Sequence, residues 1–259
     1  MRALILAAGE GSRLRPLTDN KPKALVELFN KSLLERQIET LNKGGIFDIA
    51  VATGHLGEQI RDLGLECFYN PKYSSTNMVN SLFNALPFIE KEGDLIISYG
   101  DIIYELDNLE KVISSNAQVS VMIDKQWLRY WQLRFPNPLS DAESLILNKD
   151  GTIKNLGQKT ENYKDIQGQY TGLIKVRGDR LGRLISFYRN LKSAKGTNIK
   201  DFDNMFLTSF IQLLINASWE VRAVCVEGGW LEVDSLEDLR IYEELKDSKE
   251  LDQYCKLDK

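Results

Sequence analysis

The sequence has few of the residues from which zinc sites, redox centres and histidine-dependent hydrolases are built. Its 259 residues include one histidine, His55, and three cysteines, Cys67, Cys225 and Cys255. The cysteines form no C-x-x-C pair, and one histidine lacks the partners that a zinc site or a catalytic triad requires. We therefore expect His55 to contact a ligand or to serve its own loop. The odd cysteine count and the missing signal peptide predict a reducing, cytoplasmic location.

Long apolar runs and basic runs are also missing. The apolar run at residues 4–8 is much shorter than the roughly 20 residues of a membrane-spanning helix, so no membrane association is expected. The formal net charge is −4 and no run of Lys or Arg appears, which argues against a nucleic-acid partner. A small anionic ligand is compatible with this composition, because a local cationic site needs no positive net charge. The sequence predicts no particular oligomeric state.

The first half of the chain alternates between strand and helix patterns. Apolar runs predict strands at residues 3–8, 46–53, 66–69, 94–99 and 119–123, and helical periodicity predicts helices at residues 32–45, 58–63, 77–90 and 109–114. This alternation predicts an α/β fold with a doubly wound, mostly parallel, Rossmann-like sheet. Ligands of such sheets bind beyond the carboxyl ends of the strands, so the loops at Gly9, Gly54 and Gly100 should meet at one crevice.

The pattern changes after Asp124. Strands are predicted at residues 144–147, 152–156, 170–176 and 220–226, and helices at residues 181–189, 204–216 and 236–245. We interpret residues 1–259 as one domain with an inserted α+β portion at about 125–200. Trp127, Tyr130 and Trp131 crowd the start of that portion. Such clusters are more typical of a hydrophobic core, and the alternative is an aromatic cage for a quaternary ammonium group.

The first motif with chemical content is the loop Gly9-x-Gly11-x-Arg13 after the first strand. Glycines allow the backbone to approach a phosphate, and free amides in such loops bind anions. Leu14 stands where the G-x-G-x-x-G dinucleotide fingerprint has its third glycine, and the P-loop pattern is missing. These departures exclude a Rossmann-type oxidoreductase. A G-x-G pair can also be an ordinary strand-to-helix turn, but the basic residues that follow it favour phosphate binding.

Those basic residues lie close behind the glycines. Arg13, Lys21 and Lys23 occur within one short stretch, and Pro22 stiffens the chain between the two lysines. A lysine in a stiff loop can be aimed at a ligand. Lys23 directly precedes the apolar run of residues 24–26 and is the more constrained of the two, whereas Lys21 is compatible with plain surface.

Acidic residues supply candidate metal ligands. Asp101 follows a predicted strand and a glycine, a position that suits either a Mg²⁺ ligand at the edge of the sheet or a helix cap. A second carboxylate can come from Glu232 or Asp234, which share one face if their segment is extended. Asp234 could instead be the N-cap of the helix predicted at residues 236–245, and the residues alone favour neither interpretation.

These motifs resemble the signature of a known enzyme family. Residues 3–18 (ALILAAGEGSRLRPLT) and 21–26 (KPKALV) are similar to the nucleotidyltransferases that activate phosphorylated metabolites. The resemblance continues at Tyr99-Gly-Asp101 and Glu232-Val-Asp234, and so spans most of the chain. It implies a doubly wound sheet and Mg²⁺ as cofactor. It also implies that a nucleoside triphosphate is joined to a phosphate or phosphonate, with release of pyrophosphate.

Other segments are similar to one branch of this family. Sugar-1-phosphate enzymes usually carry Leu-Gly-Thr-Ala and Glu-Lys-Pro segments, whereas this chain has YSSTNMVNSL at residues 73–82 and LGQK at residues 156–159. The first of these resembles the phosphocholine cytidylyltransferases. Residues 123–143 and 169–172 resemble the CTP:phosphoglutamine cytidylyltransferases of capsule synthesis, and phosphonate cytidylyltransferases, such as those for 2-aminoethylphosphonate, are further relatives.

The resemblance thus implies a cytoplasmic, CTP-dependent cytidylyltransferase in cell-surface polysaccharide biosynthesis, with a small phosphorylated or phosphonate metabolite as acceptor. The alternatives are a sugar-1-phosphate nucleotidylyltransferase and a nucleotide-binding regulatory protein without activity. Because the acceptor is already anionic, catalysis should consist mainly of positioning and charge neutralisation during attack on the α-phosphorus of CTP.

Roles for individual residues follow from the resemblance. Asp101 and Asp234 are expected to bind Mg²⁺, Arg13 and Lys23 to stabilise the reacting phosphates, and Lys125 to bind the acceptor's phosphate. The residues expected to bind CTP are Leu6, Ala7, Ala8, Gly9, Gly11, Ser12, Gly54, Thr76, Asn77, Ser81, Tyr99 and Gly100. Those expected to line the acceptor pocket are Trp127, Gln169, Tyr170 and Glu232.

Overall fold

The computed structural model describes residues 1–194 and 198–257 of the chain. Its strands are β1 (Arg2–Ala7), β2 (Glu27–Leu28), β3 (Lys31–Ser32), β4 (Ile49–Thr53), β5 (Glu66–Tyr69), β6 (Leu95–Tyr99), β7 (Ile102–Tyr104), β8 (Val119–Asp124), β9 (Glu143–Leu147), β10 (Ile153–Lys159), β11 (Gln169–Val176), β12 (Val221–Val226) and β13 (Trp230–Glu232). Its α-helices are α1 (Leu33–Lys43), α2 (Gly57–Arg61), α3 (Met78–Asn84), α4 (Leu86–Ile89), α5 (Leu106–Ser114), α6 (Trp127–Arg134), α7 (Leu181–Ser193), α8 (Ile199–Asp203), α9 (Leu207–Asn216) and α10 (Leu236–Asp247).

A seven-stranded sheet lies at the centre, in the order β12-β8-β11-β6-β1-β4-β5. β1 pairs in parallel with β4 and β6, β4 with β5, and β12 with β8. β11 runs antiparallel to both of its neighbours, β6 and β8. The predicted α/β fold with a mostly parallel sheet is confirmed.

Strand β1, between β6 and β4, is buried along its whole length. Its side chains alternate between two hydrophobic clusters: Ala3, Ile5 and Ala7 belong to one, and Leu4 and Leu6 to the other. A strand that faces a core on each side favours apolar residues at successive positions, which explains the hydrophobic run from Ala3 to Ala7 after the buried Arg2.

Helices cover both faces of the sheet. Helices α1, α5, α6 and α10 contribute to the cluster that contains Ile5, and α3, α7 and α9 to the cluster that contains Leu4. Helix α1 begins with a reciprocal cap, because the Ser32 hydroxyl accepts from the backbone N–H of Glu35 while the Glu35 carboxylate accepts from that of Ser32. Among the helices of residues 1–194 and 198–257, none combines the length and apolar character needed to cross a bilayer.

A short antiparallel ladder joins two distant parts of the chain. β13 pairs with β7, with Glu232 opposite Ile102. One step further along, the backbone N–H of Val233 donates to the carbonyl of Asp101 at 2.9 Å. Asp101 and Asp234 therefore lie side by side at the end of this ladder.

The structure corrects several predicted boundaries. The helix predicted at residues 77–90 is divided into α3 and α4, because Pro87 lies in the first turn of α4 and cannot donate into a continuous helix. The strand predicted at residues 46–53 begins only at Ile49. Within the predicted insertion at about 125–200, β11 lies inside the central sheet, while β9 and β10 form a hairpin of their own. The predicted domain also includes residues 195–197 and 258–259, which lie outside the described residues.

Candidate active site

A cavity of about 280 Å³ lies at the carboxyl ends of β1 and β6. Its lining residues are Leu6, Ala7, Ala8, Gly9, Gly11, Ser12, Arg13, Lys23, Ala24, Tyr73, Thr76, Asn77, Met78, Ser81, Tyr99, Gly100, Asp101 and Asp234. Parallel strands end at this edge, so the loops that follow them converge there. Of the residues predicted to bind CTP, all except Gly54 line this cavity, together with Arg13, Lys23 and both predicted metal ligands.

The glycine loop after β1 packs directly against Lys23. Gly11 has a φ of 64°, and a Cβ at this position would lie 2.9 Å from the Cβ of Lys23. Its carbonyl accepts a hydrogen bond from the Thr18 hydroxyl at 2.8 Å. Glycine satisfies both the left-handed backbone and the close approach. The loop therefore places its backbone beside the lysine that follows it in sequence.

Four charged side chains form the chemical centre of the cavity. The Lys23 Nζ lies 2.6 Å from Asp101 Oδ2 and 2.7 Å from Asp234 Oδ1, and Arg13 forms a salt bridge with Asp234. The Lys23 side chain is 13% exposed, whereas that of Arg13 is 64% exposed. Lys23 is thus held in place between two carboxylates, while most of Arg13 extends into solvent.

The electrostatics of this cluster keep Lys23 protonated. Burial alone lowers the pKa of Lys23, but the negative charges of Asp101 and Asp234 and their hydrogen bonds outweigh it, so the pKa lies above its ordinary value. Lys23 therefore supplies fixed positive charge and is not suited to act as a base.

The two aspartates also fit a divalent cation. Asp101 Oδ1 is buried and accepts no hydrogen bond from the described part of the chain. A buried carboxylate oxygen without a donor is unfavourable unless a cation neutralises it. Residues 1–194 and 198–257 contain no cluster of three or more His, Cys, Asp or Glu that could hold a metal. A pair of carboxylates suits Mg²⁺, which is commonly held by one or two carboxylates, water and substrate phosphates.

The start of α3 forms another wall. Asn70 is buried, and its amide donates to the hydroxyl of Thr76 at 2.9 Å and to that of Ser81 at 3.0 Å. Asn70 thus positions two predicted nucleotide-binding residues from behind. Sequence reasoning missed this residue, although an asparagine directly after a strand and before a proline was a usable signal.

Other lining residues were also missed. Ala24, Tyr73 and Met78 lie within the motifs at residues 21–26 and 73–82, but they carry no charge that singles them out there. Gly54 lies behind one of them, because a Cβ on Gly54 would approach the Cβ of Tyr73 to 2.6 Å. The structure therefore places Gly54 in support of Tyr73 rather than on the cavity wall. The ring of His55 contacts a distant segment of the chain, with Nε2 3.3 Å from the carbonyl oxygen of Thr18.

Two of the residues predicted to bind the acceptor have side chains that are engaged with other parts of the protein. Trp127 is buried and packs edge-on against Trp131 and flat against Tyr163. Gln169 is also buried, and its side-chain amide bonds both the backbone carbonyl and the N–H of Glu143. These contacts leave Gln169 engaged with the chain instead of facing the cavity.

The other predicted acceptor residues differ in their distance from the cavity wall. Tyr170 meets Tyr99, a lining residue, edge to face with 5.6 Å between the ring centroids. Lys125 is exposed, donates through Nζ to the carbonyl of Gln167, and is not among the lining residues. Tyr170 is thus one layer behind the cavity, and Lys125 lies on the surface.

The aromatic cluster at the start of the predicted insertion is core. Tyr130 and Trp131 are buried and pack with Trp230 in the same hydrophobic cluster as Trp127. The core interpretation of these side chains is confirmed, and they do not form an open cage.

Glu232 ends β13 and lies beside the charged centre. Its carboxylate Oε2 is 2.6 Å from Nη1 of Arg134. Burial raises the pKa of Glu232 to about 7, with Arg134 opposing the rise and the charges of Asp101 and Asp234 adding to it. Glu232 therefore belongs to the electrostatic surroundings of the aspartates and does not itself line the cavity.

Comparison with known proteins finds relatives of this chain. The chain is 42% identical over 250 residues to the CTP:phosphoglutamine cytidylyltransferase of Campylobacter jejuni, a match that covers 93% of this chain and 98% of that protein. It is 48% identical over 87 residues to the choline-phosphate cytidylyltransferase of Streptococcus pneumoniae, over 32% of this chain and 38% of that one.

The fold has close counterparts among solved structures. The CTP:phosphocholine cytidylyltransferase of Streptococcus pneumoniae aligns with a TM-score of 0.69 at 24% identity, over 95% of this chain and 98% of that one. A family model described as the MobA-like NTP transferase domain matches residues 3–137, the part that contains the glycine loop, Lys23 and Asp101. The chain therefore belongs to the MobA-like NTP transferase family and is a nucleotidyltransferase.

Proposed function

We propose that the protein transfers CMP from CTP to a small phosphorylated metabolite and releases pyrophosphate. The observation that carries this proposal is the cluster of Lys23, Asp101 and Asp234 at the end of a glycine-lined cavity. Such a cluster offers both fixed positive charge and paired carboxylates to a triphosphate. The match to a cytidylyltransferase over nearly the full length of both chains supports CTP as the donor.

The nucleotide occupies the cavity in this proposal. The loop from Gly9 to Arg13 brings backbone amides to the phosphates, together with the largely exposed guanidinium of Arg13. Asn77 and Ser81 at the start of α3, with Tyr99, provide the wall against the rest of the nucleotide.

Catalysis consists of holding and neutralising charge. A phosphate oxygen of the acceptor attacks the α-phosphorus of CTP, and pyrophosphate leaves on the opposite side. Lys23 and Arg13 stabilise the negative charge of the reacting and departing phosphates, and no side chain is needed as a strong base. Asp101 and Asp234 would hold Mg²⁺, which when bound would neutralise charge on the same phosphates.

The acceptor we propose is phosphoglutamine or a similar small compound such as phosphocholine or 2-aminoethylphosphonate. The near full-length relative acts on phosphoglutamine by its name, which supports the first of these. We place the acceptor next to Tyr99, with Tyr170 supporting that ring from behind. Lys125, Trp127, Gln169 and Glu232 contribute only through movement or indirect contacts. Three free cysteines support action in the reducing cytoplasm.

A pyrophosphate-release panel tests the proposal. CTP, UTP, GTP and ATP are each mixed with Mg²⁺ and with phosphoglutamine, phosphocholine, 2-aminoethylphosphonate or glucose 1-phosphate. We expect the highest rate with CTP and one of the first three acceptors. A preference for UTP with glucose 1-phosphate would contradict the assignment, and release with no pair at all would favour a regulatory nucleotide-binding role.

A further inference from the structure

Arg134, the last residue of α6, is a buried arginine bonded to two carboxylates. Its Nη1 lies 2.6 Å from Glu232 Oε2, and its Nε lies 2.8 Å from Asp238 Oδ1. Its Nη2 donates to Asp238 Oδ2 at 3.2 Å. The guanidinium therefore connects residues on both sides of Asp234.

Asp238 links Arg134 to the backbone of Asp234 through hydrogen bonds. Its Oδ2 accepts hydrogen bonds from the backbone N–H groups of Asp234 and Ser235, each at 2.9 Å. Its Oδ1 faces Arg134. Both oxygens of one buried carboxylate are thus committed, one to the arginine and the other chiefly to the backbone of the candidate metal ligand.

The arginine is itself fixed in orientation. Its guanidinium carbon lies 5.3 Å from the ring centroid of Tyr130 and 5.1 Å from that of Phe135. The Tyr130 hydroxyl accepts from the backbone N–H of Glu232 at 2.8 Å. Aromatic rings against its face and ion pairs along its edge restrict the rotation of a planar guanidinium. Helix α6 and β13 are therefore locked together at this point.

We infer that Arg134 and Asp238 are positioning residues for Asp234. The chain of contacts runs from the Arg134 guanidinium through the Asp238 carboxylate to the Asp234 main chain, and it sets where the Asp234 carboxylate meets Lys23 and the divalent cation. Partners that orient metal ligands commonly contribute tenfold or more to metal affinity. This inference rests on the proposed function, because it assigns Asp234 to the cation.

The test measures Mn²⁺ binding in the presence of CTP and without acceptor, from the EPR signal of the free ion relative to that of the same mixture of Mn²⁺ and CTP without protein. Arg134→Lys removes the fork that reaches both carboxylates. Asp238→Asn is isosteric and leaves one acceptor oxygen where two are needed. We expect both variants to bind Mn²⁺ about tenfold more weakly than the wild type.

Arg2→Lys is the matched control. Arg2 is equally buried, and it donates to the carbonyls of Phe88, Ile89 and Glu92, none of which lines the cavity. Its replacement should lower the melting temperature and leave the Mn²⁺ constant unchanged. The Arg2→Lys control therefore separates a loss of stability from a displacement of the Asp234 carboxylate.

Failure of the inference about Arg134 and Asp238 can be distinguished from failure of the proposed function. Wild-type protein that binds no Mn²⁺ with CTP and releases no pyrophosphate with any acceptor would overturn the proposed function and this inference together. Active wild-type enzyme with folded Arg134→Lys or Asp238→Asn protein that binds Mn²⁺ as tightly as wild type would overturn the inference alone. An equal weakening in Arg2→Lys would also overturn it, since burial would then be sufficient to explain the effect.

Discussion

The proposed nucleotide side of the candidate site, residues 6–13, 73–81 and 99–101, lines a cavity with glycine backbone, neutral side chains up to the size of tyrosine and a few charges. On the proposed acceptor side, residues 125–127 and 169–170, bulky side chains are packed against the protein or lie at its surface. In the proposed function, this difference follows from the chemistry of the two ligands. A triphosphate can be bound through backbone amides and fixed charges, whereas a small acceptor must be selected by side-chain contacts.

The largest expected effect comes from the metal ligands. Asp101→Asn removes half of the charge that the paired aspartates offer and should lower turnover by about 10³-fold, equivalent to about 4 kcal/mol in the barrier. The fold should persist, because Asp101 is bonded mainly to Lys23. The measurement is pyrophosphate release against Mg²⁺ concentration, with a thermal melt as control. Near-normal activity that still depends on Mg²⁺ would remove Asp101 from the metal site.

A somewhat smaller effect is expected at Lys23, the cation held between the two aspartates. Lys23→Met should reduce kcat by roughly 10²–10³-fold, as removal of a charge-stabilising group at a reacting centre typically does. Lys21→Met is the matched control, since Lys21 is two residues away and does not line the cavity. Single-turnover rates with saturating CTP measure the effect. Equal losses in the two variants would assign the effect to general positive charge and not to Lys23.

A smaller effect is expected at the glycine loop. Gly11→Ala introduces a Cβ against Lys23 at a left-handed position, which costs about 1–2 kcal/mol. The KM for CTP should rise by about tenfold. Gly182→Ala is the control, because a Cβ there meets nothing within 4 Å. If both variants have the wild-type KM for CTP, the loop does not cradle the phosphates.

The smallest effect should come from the acceptor side. Lys125 is exposed and outside the cavity lining, so Lys125→Ala should change kcat/KM for the acceptor by about twofold or less, as is usual for exposed charges. Steady-state kinetics with varied acceptor and saturating CTP provide the measurement. A loss of tenfold or more, confined to the acceptor, would show that Lys125 moves into the site and would restore its predicted catalytic role.

The glycine loop and Lys23 could be identified as candidates from the sequence because they are close together in the chain. Gly9, Gly11 and Lys23 lie in two neighbouring segments, residues 3–18 and 21–26, and the strand before them is apolar from Ala3 onward. Asp101 and Asp234 needed the resemblance, since their meeting depends on pairing between β7 and β13, which have only three residues each. Strands of that length give almost no periodic signal.

Helix α6 shows why the acceptor side was harder. Trp127, Tyr130, Trp131 and Arg134 recur at helical spacing and all are buried. No helix was predicted at residues 127–134. The burial of Arg134 depends on its ion pairs with Glu232 and Asp238, which are distant in sequence. The local pattern of residues 127–134 therefore does not reveal that this arginine is buried.

The ladder between β7 and β13 also makes the charged centre dependent on contacts between distant parts of the chain. Lys23 and Asp234 are 211 positions apart in the sequence, yet Nζ of Lys23 lies 2.7 Å from Asp234 Oδ1. Because each strand of the ladder has only three residues, a local separation of β7 from β13 would part the two aspartates without unfolding the central sheet. In the proposed mechanism, turnover would then stop while the protein is still folded, so activity would report a local opening that a melt of the whole protein does not.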